Sequence, residues 1–208
     1  MDNKSIEKFF QDTKNVFTMV RLKEYLKLPV YAYVICFIIG IIIPIISVML
    51  NPGKGNVAVP PEMAGFDTSF EWLEIITNNI RVLFTLFITG IILYVGPLFG
   101  IGFNALVHGL FLGVSVQESG MTGLVRYVLL MAPHGIFEVP ALLFSAGAGV
   151  LLSRTLLNFI MFKWFNASKL YEAFLLIFIA FCFFLIASVI ETQITFRILD
   201  VFISPSGE

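Results

Sequence analysis

The stretch Pro133-His134-Gly135-Ile136-Phe137-Glu138 lies between two apolar segments, Leu124–Met131 and Val139–Leu152. Neither segment alone reaches the roughly 20 residues that a membrane-spanning helix needs, but together they exceed that length. Pro133 supplies no backbone N–H, and Gly135 adopts conformations that other residues avoid. The sequence therefore predicts one transmembrane helix that is broken at Pro133-Gly135.

Two ionisable side chains accompany the predicted break. If the helix restarts there, His134 and Glu138 are four residues apart and share one face. Ionisable groups at membrane depth are costly, and by default they are candidates for a functional site. The plainer alternative is that both side chains satisfy backbone groups freed by Pro133 and Pro140. The sequence leaves both interpretations open.

The composition indicates a membrane protein. Hydrophobic residues make up 58% of the 208 residues and charged residues 13%, whereas soluble domains carry about 25% charged residues. Several long apolar runs predict an all-α, polytopic bundle of transmembrane helices in the cell membrane. The net charge of −1 gives no reason to expect nucleic-acid binding.

The N-terminal segment, residues 1–27, combines spaced apolar residues with lysines and an arginine. This pattern predicts an amphipathic helix at the cytoplasmic membrane surface, although a helix packed on the protein's own loops fits equally well. Residues 28–195 form the predicted transmembrane domain, and residues 196–208 form a C-terminal tail.

Five crossings are predicted, with the N-terminus in the cytoplasm and the C-terminus outside. The spans are Pro29–Leu50, Asn79–Gly96, Ile101–Val116, the broken segment Gly123–Leu152, and Glu172–Thr192. Residues 51–79 are poor in basic residues and are expected outside, whereas residues 153–171 carry basic residues and no acidic ones, as cytoplasmic loops do. Counting the broken segment twice gives a six-crossing alternative, which would place that basic loop outside.

Other polar residues in or near the spans extend the candidate site. Asn104 and His108 share one face of the third span at a four-residue spacing. Arg81 begins the second span, and Glu191 ends the last one. Together with His134 and Glu138, these four residues are our candidates for a polar pathway or a buried polar cluster.

Small residues recur every four positions after the predicted break, at Ala141, Ser145 and Gly149. Such spacing lets another helix approach closely. We expect this face to pack against a helix of the same chain or across a homo-oligomer interface. Among homo-oligomers, we expect a dimer.

Three stretches resemble the stage II sporulation protein M family. They are Asn78-Asn79-Ile80-Arg81 leading into Phe84–Ile91, Pro133–Ala141 with the following Ala146-Gly147-Ala148-Gly149, and Ala187-Ser188-Val189-Ile190-Glu191-Thr192. The resemblance covers roughly residues 75–195. It implies a polytopic membrane protein that, in spore formers, acts with membrane or cell-wall-associated partners, including a cell-wall hydrolase, during engulfment.

Two functions are weighed on the sequence. The first is a non-enzymatic membrane protein, either a component of a membrane complex or one with a polar pathway for a proton, an ion or a small solute. The alternative is an intramembrane metal-dependent enzyme that uses His134 and Glu138, with His108 and Glu191 as further ligands. A catalytic zinc usually has three protein ligands, and the HExxH motif is missing from this sequence. We therefore predict no enzyme activity, no bound metal and no cofactor.

Overall fold

The computed structural model describes residues 19–50 and 72–195, and this part of the chain is almost entirely helical. Its helices are α1 (Met19–Leu50), α2 (Trp72–Ile88), α3 (Val95–Phe162) and α4 (Ala167–Ile190). A 3-10 turn, Thr89–Ile92, extends α2, and a π-helical segment, Glu191–Thr195, extends α4. Within the described ranges, four helices are long and apolar enough to cross a membrane. The prediction of an all-α membrane helix bundle is therefore confirmed.

Helix α3 is folded back on itself at Gly120. This residue has φ 56° and ψ −127°, a backbone conformation outside the helical region that glycine adopts readily. A Cβ atom at Gly123 would collide with the backbone oxygen of Ser115. Atoms of His108 and Glu138 lie 3.9 Å apart, although a straight helix would separate these residues by about 45 Å. Helix α3 is thus a hairpin with a first arm, residues 95–119, and a second arm, residues 121–162.

The predicted break at Pro133 and Gly135 is wrong. The backbone is helical through Pro133, Gly135 and Pro140, and the non-helical residue within α3 is Gly120. A proline fits helical φ values and removes one N–H donor, whereas a full break would leave several backbone groups unpaired in lipid. Helix α1 likewise contains internal prolines.

The hairpin supplies five helical segments for the predicted five crossings. The six-crossing alternative required the chain to reverse within residues 123–152, but the second arm is continuous there. The reversal lies in residues 117–122, between the predicted third span and the broken segment, and it is confined to a single glycine rather than a loop. The predicted second span reaches Gly96, whereas α2 and its 3-10 turn end at Ile92.

Glycines allow α1 and the first arm to approach closely. A Cβ atom at Gly109 would collide with the backbone oxygen of Phe37, and one at Gly40 would collide with the backbone of Leu106. A branched residue at either position would push the two backbones apart. This close packing brings the side chains of α1 within reach of the first arm.

The small-residue face of the second arm lies inside the chain. Ala141 and Ser145 are fully buried. A Cβ atom at Gly149 would collide with the backbone oxygen of Leu86 and with the ring of Pro97. The face therefore packs against α2 and the start of the first arm, and it is not left free for a second subunit.

Two predicted segments lie outside the described residues. The amphipathic N-terminal helix falls mostly on residues 1–18, and the C-terminal tail is residues 196–208. Helix α1 begins at Met19 and continues without interruption across residues 27 and 28, where the transmembrane domain was predicted to begin.

Candidate functional site

A carboxyl group lies between two histidines in the interior of the bundle. Oε2 of Glu138 is 3.7 Å from Nε2 of His134, one helical turn earlier on the same arm. Its other oxygen, Oε1, is 3.9 Å from Nε2 of His108 on the opposite arm. The exposed fractions of these side chains are 19% for Glu138, 6% for His134 and 13% for His108. The three groups are therefore largely shielded from the surroundings of the bundle.

Hydrogen bonds extend this arrangement at both ends. Nδ1 of His108 is 3.0 Å from the hydroxyl oxygen of Tyr33 on α1. Nδ1 of His134 is 3.2 Å from Oγ1 of Thr195, the last residue of the π-helical segment. We refer to Tyr33, His108, Glu138, His134 and Thr195 as the polar chain. It joins side chains from α1, both arms of α3 and the segment that follows α4.

Local structure explains how these residues meet. The four-residue spacing of His134 and Glu138 places them on one face because the second arm is helical there. The reversal at Gly120 brings the first arm, and with it His108, alongside this face. Gly109 packs closely against the backbone of Phe37, and Tyr33 lies one helical turn before Phe37. The rings of Tyr33 and Phe37 are stacked, with centroids 6.1 Å apart. The polar chain thus depends on the tertiary fold.

Two further ionisable groups lie around Glu138. Glu191, in the π-helical segment, and Tyr127, on the second arm, are both close enough to interact with it electrostatically. Placing several such groups within membrane-spanning segments is costly unless they pair with one another or serve a function. Segments of π-helix are also frequent at functional sites.

The structure brings together some of the predicted site residues and not others. His108, His134, Glu138 and Glu191 gather around the polar chain. Asn104 instead donates a hydrogen bond of 2.9 Å to the backbone oxygen of Gly100 in its own helix. Arg81 lies on the exposed side of α2, where it lines a shallow groove with Leu73, Glu74, Thr77 and Asn78.

Sequence reasoning did not find Tyr33 or Thr195. Tyr33 lies in an apolar run and resembles an ordinary aromatic residue of a membrane helix. Thr195 lies beyond the predicted end of the last span, Thr192. The one available signal was a hydroxyl-bearing residue within or next to a span, and that signal is too common to select either residue.

A second cluster of polar residues, which was not predicted from the sequence, joins α1 to α4. The Glu172 carboxylate is 2% exposed. It accepts bonds from Arg21 Nη1 at 2.6 Å, from Lys169 Nζ at 2.9 Å and from the Tyr25 hydroxyl. Lys169 also donates to the Tyr25 oxygen, at 2.8 Å. We call these four residues the Glu172 cluster.

The Glu172 cluster and the polar chain lie at different levels of the bundle. Arg154 on the second arm pairs with Glu24 of α1, one turn from Arg21 and next to Tyr25. From Arg154 to Glu138 the same helix rises by about 24 Å. The cluster therefore holds one end of the bundle together, and the polar chain lies well inside from that end.

The three stretches that resemble the family meet in space. Nδ2 of Asn79, from the first stretch, donates to Oγ of Ser188, from the third, at 2.9 Å. Gly149, at the end of the second stretch, packs on the backbone of Leu86 in the first. These contacts fix α2, the second arm and α4 relative to one another.

The metal alternative finds no geometric support in residues 19–50 and 72–195. In these ranges, no group of three or more His, Cys, Asp or Glu side chains is placed to hold one metal ion. His108 and His134 are both neighbours of Glu138, but each of them faces a different carboxyl oxygen, at 3.9 and 3.7 Å.

The fold and its buried polar groups define a polytopic helical membrane protein. The family model "Stage II sporulation protein M" matches residues 33–196. The chain therefore belongs to the stage II sporulation protein M family, which confirms the resemblance seen in the sequence.

Curated relatives extend the comparison to archaea. An uncharacterized protein of Methanocaldococcus jannaschii is 33% identical over 137 residues, which cover 64% of this chain and 59% of the relative. A second uncharacterized protein of that organism is 31% identical over 128 residues, covering 60% of this chain and 67% of the relative. The chain thus matches less than two thirds of the first relative's length. No solved structure matches the chain.

Proposed function

We propose that this protein is a non-enzymatic membrane protein that passes a small polar species through its bundle along the polar chain. The observation that carries this proposal is the position of Glu138, between His134 on its own arm and His108 on the other. Keeping a carboxyl and two imidazoles inside a membrane bundle is costly, so their convergence favours a use that depends on them.

The pattern of contacts supports this proposal more than it supports a purely structural role. If His134 and Glu138 served only to satisfy backbone groups near Pro133 and Pro140, they would bond to the backbone of their own helix. In the described chain, the contacts of the polar chain run from side chain to side chain across four segments. Such a row of side chains resembles the proton relays and ion pathways found within membrane proteins. It resembles less a pair of side chains that satisfies the backbone of one helix.

The orientation that we propose follows the basic residues. Arg21, Arg154 and Lys169 lie at the same end of the bundle as the Glu172 cluster. Basic residues accumulate on the cytoplasmic side of membrane proteins, so we place this end in the cytoplasm and the tip of the hairpin, at Gly120, outside. The C-terminus would then lie outside. We also propose that the protein acts with membrane or cell-wall-associated partners, as the family resemblance implies. The homo-oligomer stays a prediction, and any contact between copies must use a surface other than the buried face of Ala141, Ser145 and Gly149.

Transport by the purified protein tests this function. Wild-type protein, Glu138→Gln and Glu118→Gln are reconstituted into liposomes, and the fluxes of protons, Na⁺, K⁺ and Cl⁻ are measured with indicator dyes. Glu118 is the matched control because it is an exposed carboxyl at the end of the first arm. We expect a flux that Glu138→Gln abolishes and Glu118→Gln preserves. Equal fluxes in all three samples would contradict the proposal.

Metal analysis of the same sample addresses the alternative function. One zinc ion per chain, lost in the Glu138→Gln variant, would favour the intramembrane metalloenzyme over the polar pathway. We expect folded protein without stoichiometric metal.

A further inference from the structure

The geometry points to a proton as the species that moves along the polar chain, carried by the Glu138 carboxyl as it swings between His108 and His134. This inference rests on the proposed function and specifies its substrate. Three features of the chain carry it: the order of its atoms, the lengths of its gaps and the chemistry of its members.

Each inner member of the chain faces its two neighbours with different atoms. His108 turns Nδ1 toward Tyr33 and Nε2 toward Glu138. Glu138 presents one oxygen to each histidine, and His134 presents Nε2 to Glu138 and Nδ1 to Thr195. An imidazole that accepts a proton at one nitrogen can release another from its second nitrogen. This order of atoms is what a proton relay needs.

The gaps are of two kinds. The two outer contacts, 3.0 and 3.2 Å, are hydrogen bonds, whereas the two gaps at Glu138, 3.9 and 3.7 Å, are slightly too long. A bridging water would need the outer atoms roughly 4.5 Å apart or more. The carboxyl therefore lies slightly beyond hydrogen-bond distance of both histidines, and a small rotation of its side chain would suffice to reach either one.

The members of the chain do not suit a larger species. Na⁺ and K⁺ require a shell of several oxygen ligands, but the centre of this chain offers two imidazoles and one carboxyl. Consecutive groups no more than 3.9 Å apart also leave no room for a hydrated ion or a solute between them. A proton needs neither a shell nor a cavity.

The transfer balances as a sequence of proton exchanges. Protonated His108 gives its Nε2 proton to Oε1 of Glu138, which breaks an N–H bond and forms an O–H bond. The neutral carboxyl then turns and gives a proton to Nε2 of His134, which releases its Nδ1 proton to Thr195. The Thr195 hydroxyl accepts that proton and gives its own proton to water. At the other end, the Tyr33 hydroxyl supplies the proton that charges His108 at Nδ1, and it takes a proton from water in return. Each imidazole then exchanges its N–H proton to return to its first tautomer, and the reverse order carries protons the other way. No electrons are transferred.

Among the described residues, the titratable groups that interact with Glu138 come from four helical segments. They are Tyr33 from α1, His108 from the first arm, His134 and Tyr127 from the second arm, and Glu191 from the π-helical segment. None of these groups is a lysine or an arginine, and within residues 19–50 and 72–195 no lysine or arginine pairs with Glu138 to lock its carboxylate in the charged form. A carrier that gains and loses a proton requires such surroundings.

Proton flux under an imposed voltage tests the inference. Liposomes that contain protein and the pH dye pyranine receive a K⁺ diffusion potential from valinomycin, and the internal pH is followed. We expect wild-type protein and Glu118→Gln to change internal pH at least tenfold faster than Glu138→Gln, which should match empty liposomes. Glu138→Asp keeps the carboxyl but shortens its reach, so we expect it to fold and to lose most of the flux. If Glu138→Gln does not fold, Glu138→Asp replaces it as the test variant.

The outcomes separate the inference from the proposed function. A flux of Na⁺, K⁺ or Cl⁻ that depends on Glu138, without a pH change, would overturn the proton inference and leave the pathway standing. Wild-type liposomes that match empty ones for every species would overturn both. Full proton flux in Glu138→Asp would overturn the swinging carboxyl, because a shorter side chain cannot close both gaps.

Discussion

At the scale of single residues, the polar chain ends in two hydroxyl groups, those of Tyr33 and Thr195. The proposed pathway depends on these groups more than the stability of the fold does. Tyr33 holds His108 through one hydrogen bond of 3.0 Å. A neutral hydrogen bond contributes about 1 kcal/mol to stability. Transport and stability should therefore respond very differently to its removal.

Replacing Tyr33 with phenylalanine tests this difference. We expect Tyr33→Phe to lower proton flux toward the Glu138→Gln level while the unfolding free energy falls by only about 1 kcal/mol. Tyr31→Phe is the matched control, since Tyr31 is 56% exposed and lies two residues away. Normal flux in Tyr33→Phe would remove Tyr33 from the pathway.

The Glu172 cluster should show the opposite behaviour. Glu172→Gln leaves Arg21 and Lys169 without their shared carboxylate. We expect a loss of about 3 kcal/mol, the lower end of the range for breaking a buried pair, because both cations are partly exposed. Glu24→Gln disrupts an exposed pair and should cost less than about 1 kcal/mol. Denaturant titration in detergent measures both, and equal losses would contradict the buried role of Glu172.

Single residues also show how far the sequence could lead. The pairing of His134 with Glu138 followed from a four-residue spacing, since a helix fixes that geometry locally. His108 belonged to the same candidate cluster, but its contact with Glu138 could not be derived from spacing, because it depends on the reversal between the two arms. The roles of Tyr33 and Thr195 could not be predicted for the same reason. Their partners, His108 and His134, lie 75 and 61 residues away in the sequence.

At the scale of the elements, the helices were easier to predict than their interruptions. Long apolar runs indicated membrane helices, and the structure has them. The prolines at 133 and 140 looked like breaks, but each removes only one donor, and the helix continues through them. The reversal itself falls between the predicted third span and the broken segment, where Gly120 is the one glycine of residues 117–122. The sequence did not show that one residue with positive φ would replace a loop there.

Alanine at two glycines tests this assignment. At Gly120, alanine must adopt φ 56°, and we expect a loss of about 1–3 kcal/mol from backbone strain. At Gly135 nothing lies within 4 Å of a new Cβ atom, and the backbone is helical. Gly135→Ala should therefore stabilise the protein by up to about 1 kcal/mol. Thermal unfolding in detergent compares the two variants. A greater loss of stability in Gly135→Ala than in Gly120→Ala would favour the original prediction of a break at Gly135.

At the scale of the whole molecule, the five segments must alternate across the membrane. Because the Glu172 cluster and the tip of the hairpin are at opposite ends of the second arm, they belong on opposite sides. In the proposed orientation, the basic residues of the cluster place it on the cytoplasmic side.

Labelling of single cysteines tests this orientation after Cys36 and Cys182 have been replaced. Ser119 and Ser168 are both exposed, the first beside Gly120 and the second at the start of α4. We expect an impermeant thiol reagent added outside intact cells to label Ser119→Cys and not Ser168→Cys. Labelling of Ser168→Cys alone from outside would contradict the proposed orientation.

Both proposals depend on one contact between the arms of the hairpin, that of His108 with Glu138. A double-mutant cycle of His108→Gln and Glu138→Gln, measured on the free energy of unfolding in detergent, tests it most directly. We expect a coupling energy of about 0.5–3 kcal/mol, as for residues in one polar network, whereas His108→Gln with Glu118→Gln should be additive. If the His108 and Glu138 changes add to within about 0.5 kcal/mol, the two side chains do not meet, and the polar chain does not exist.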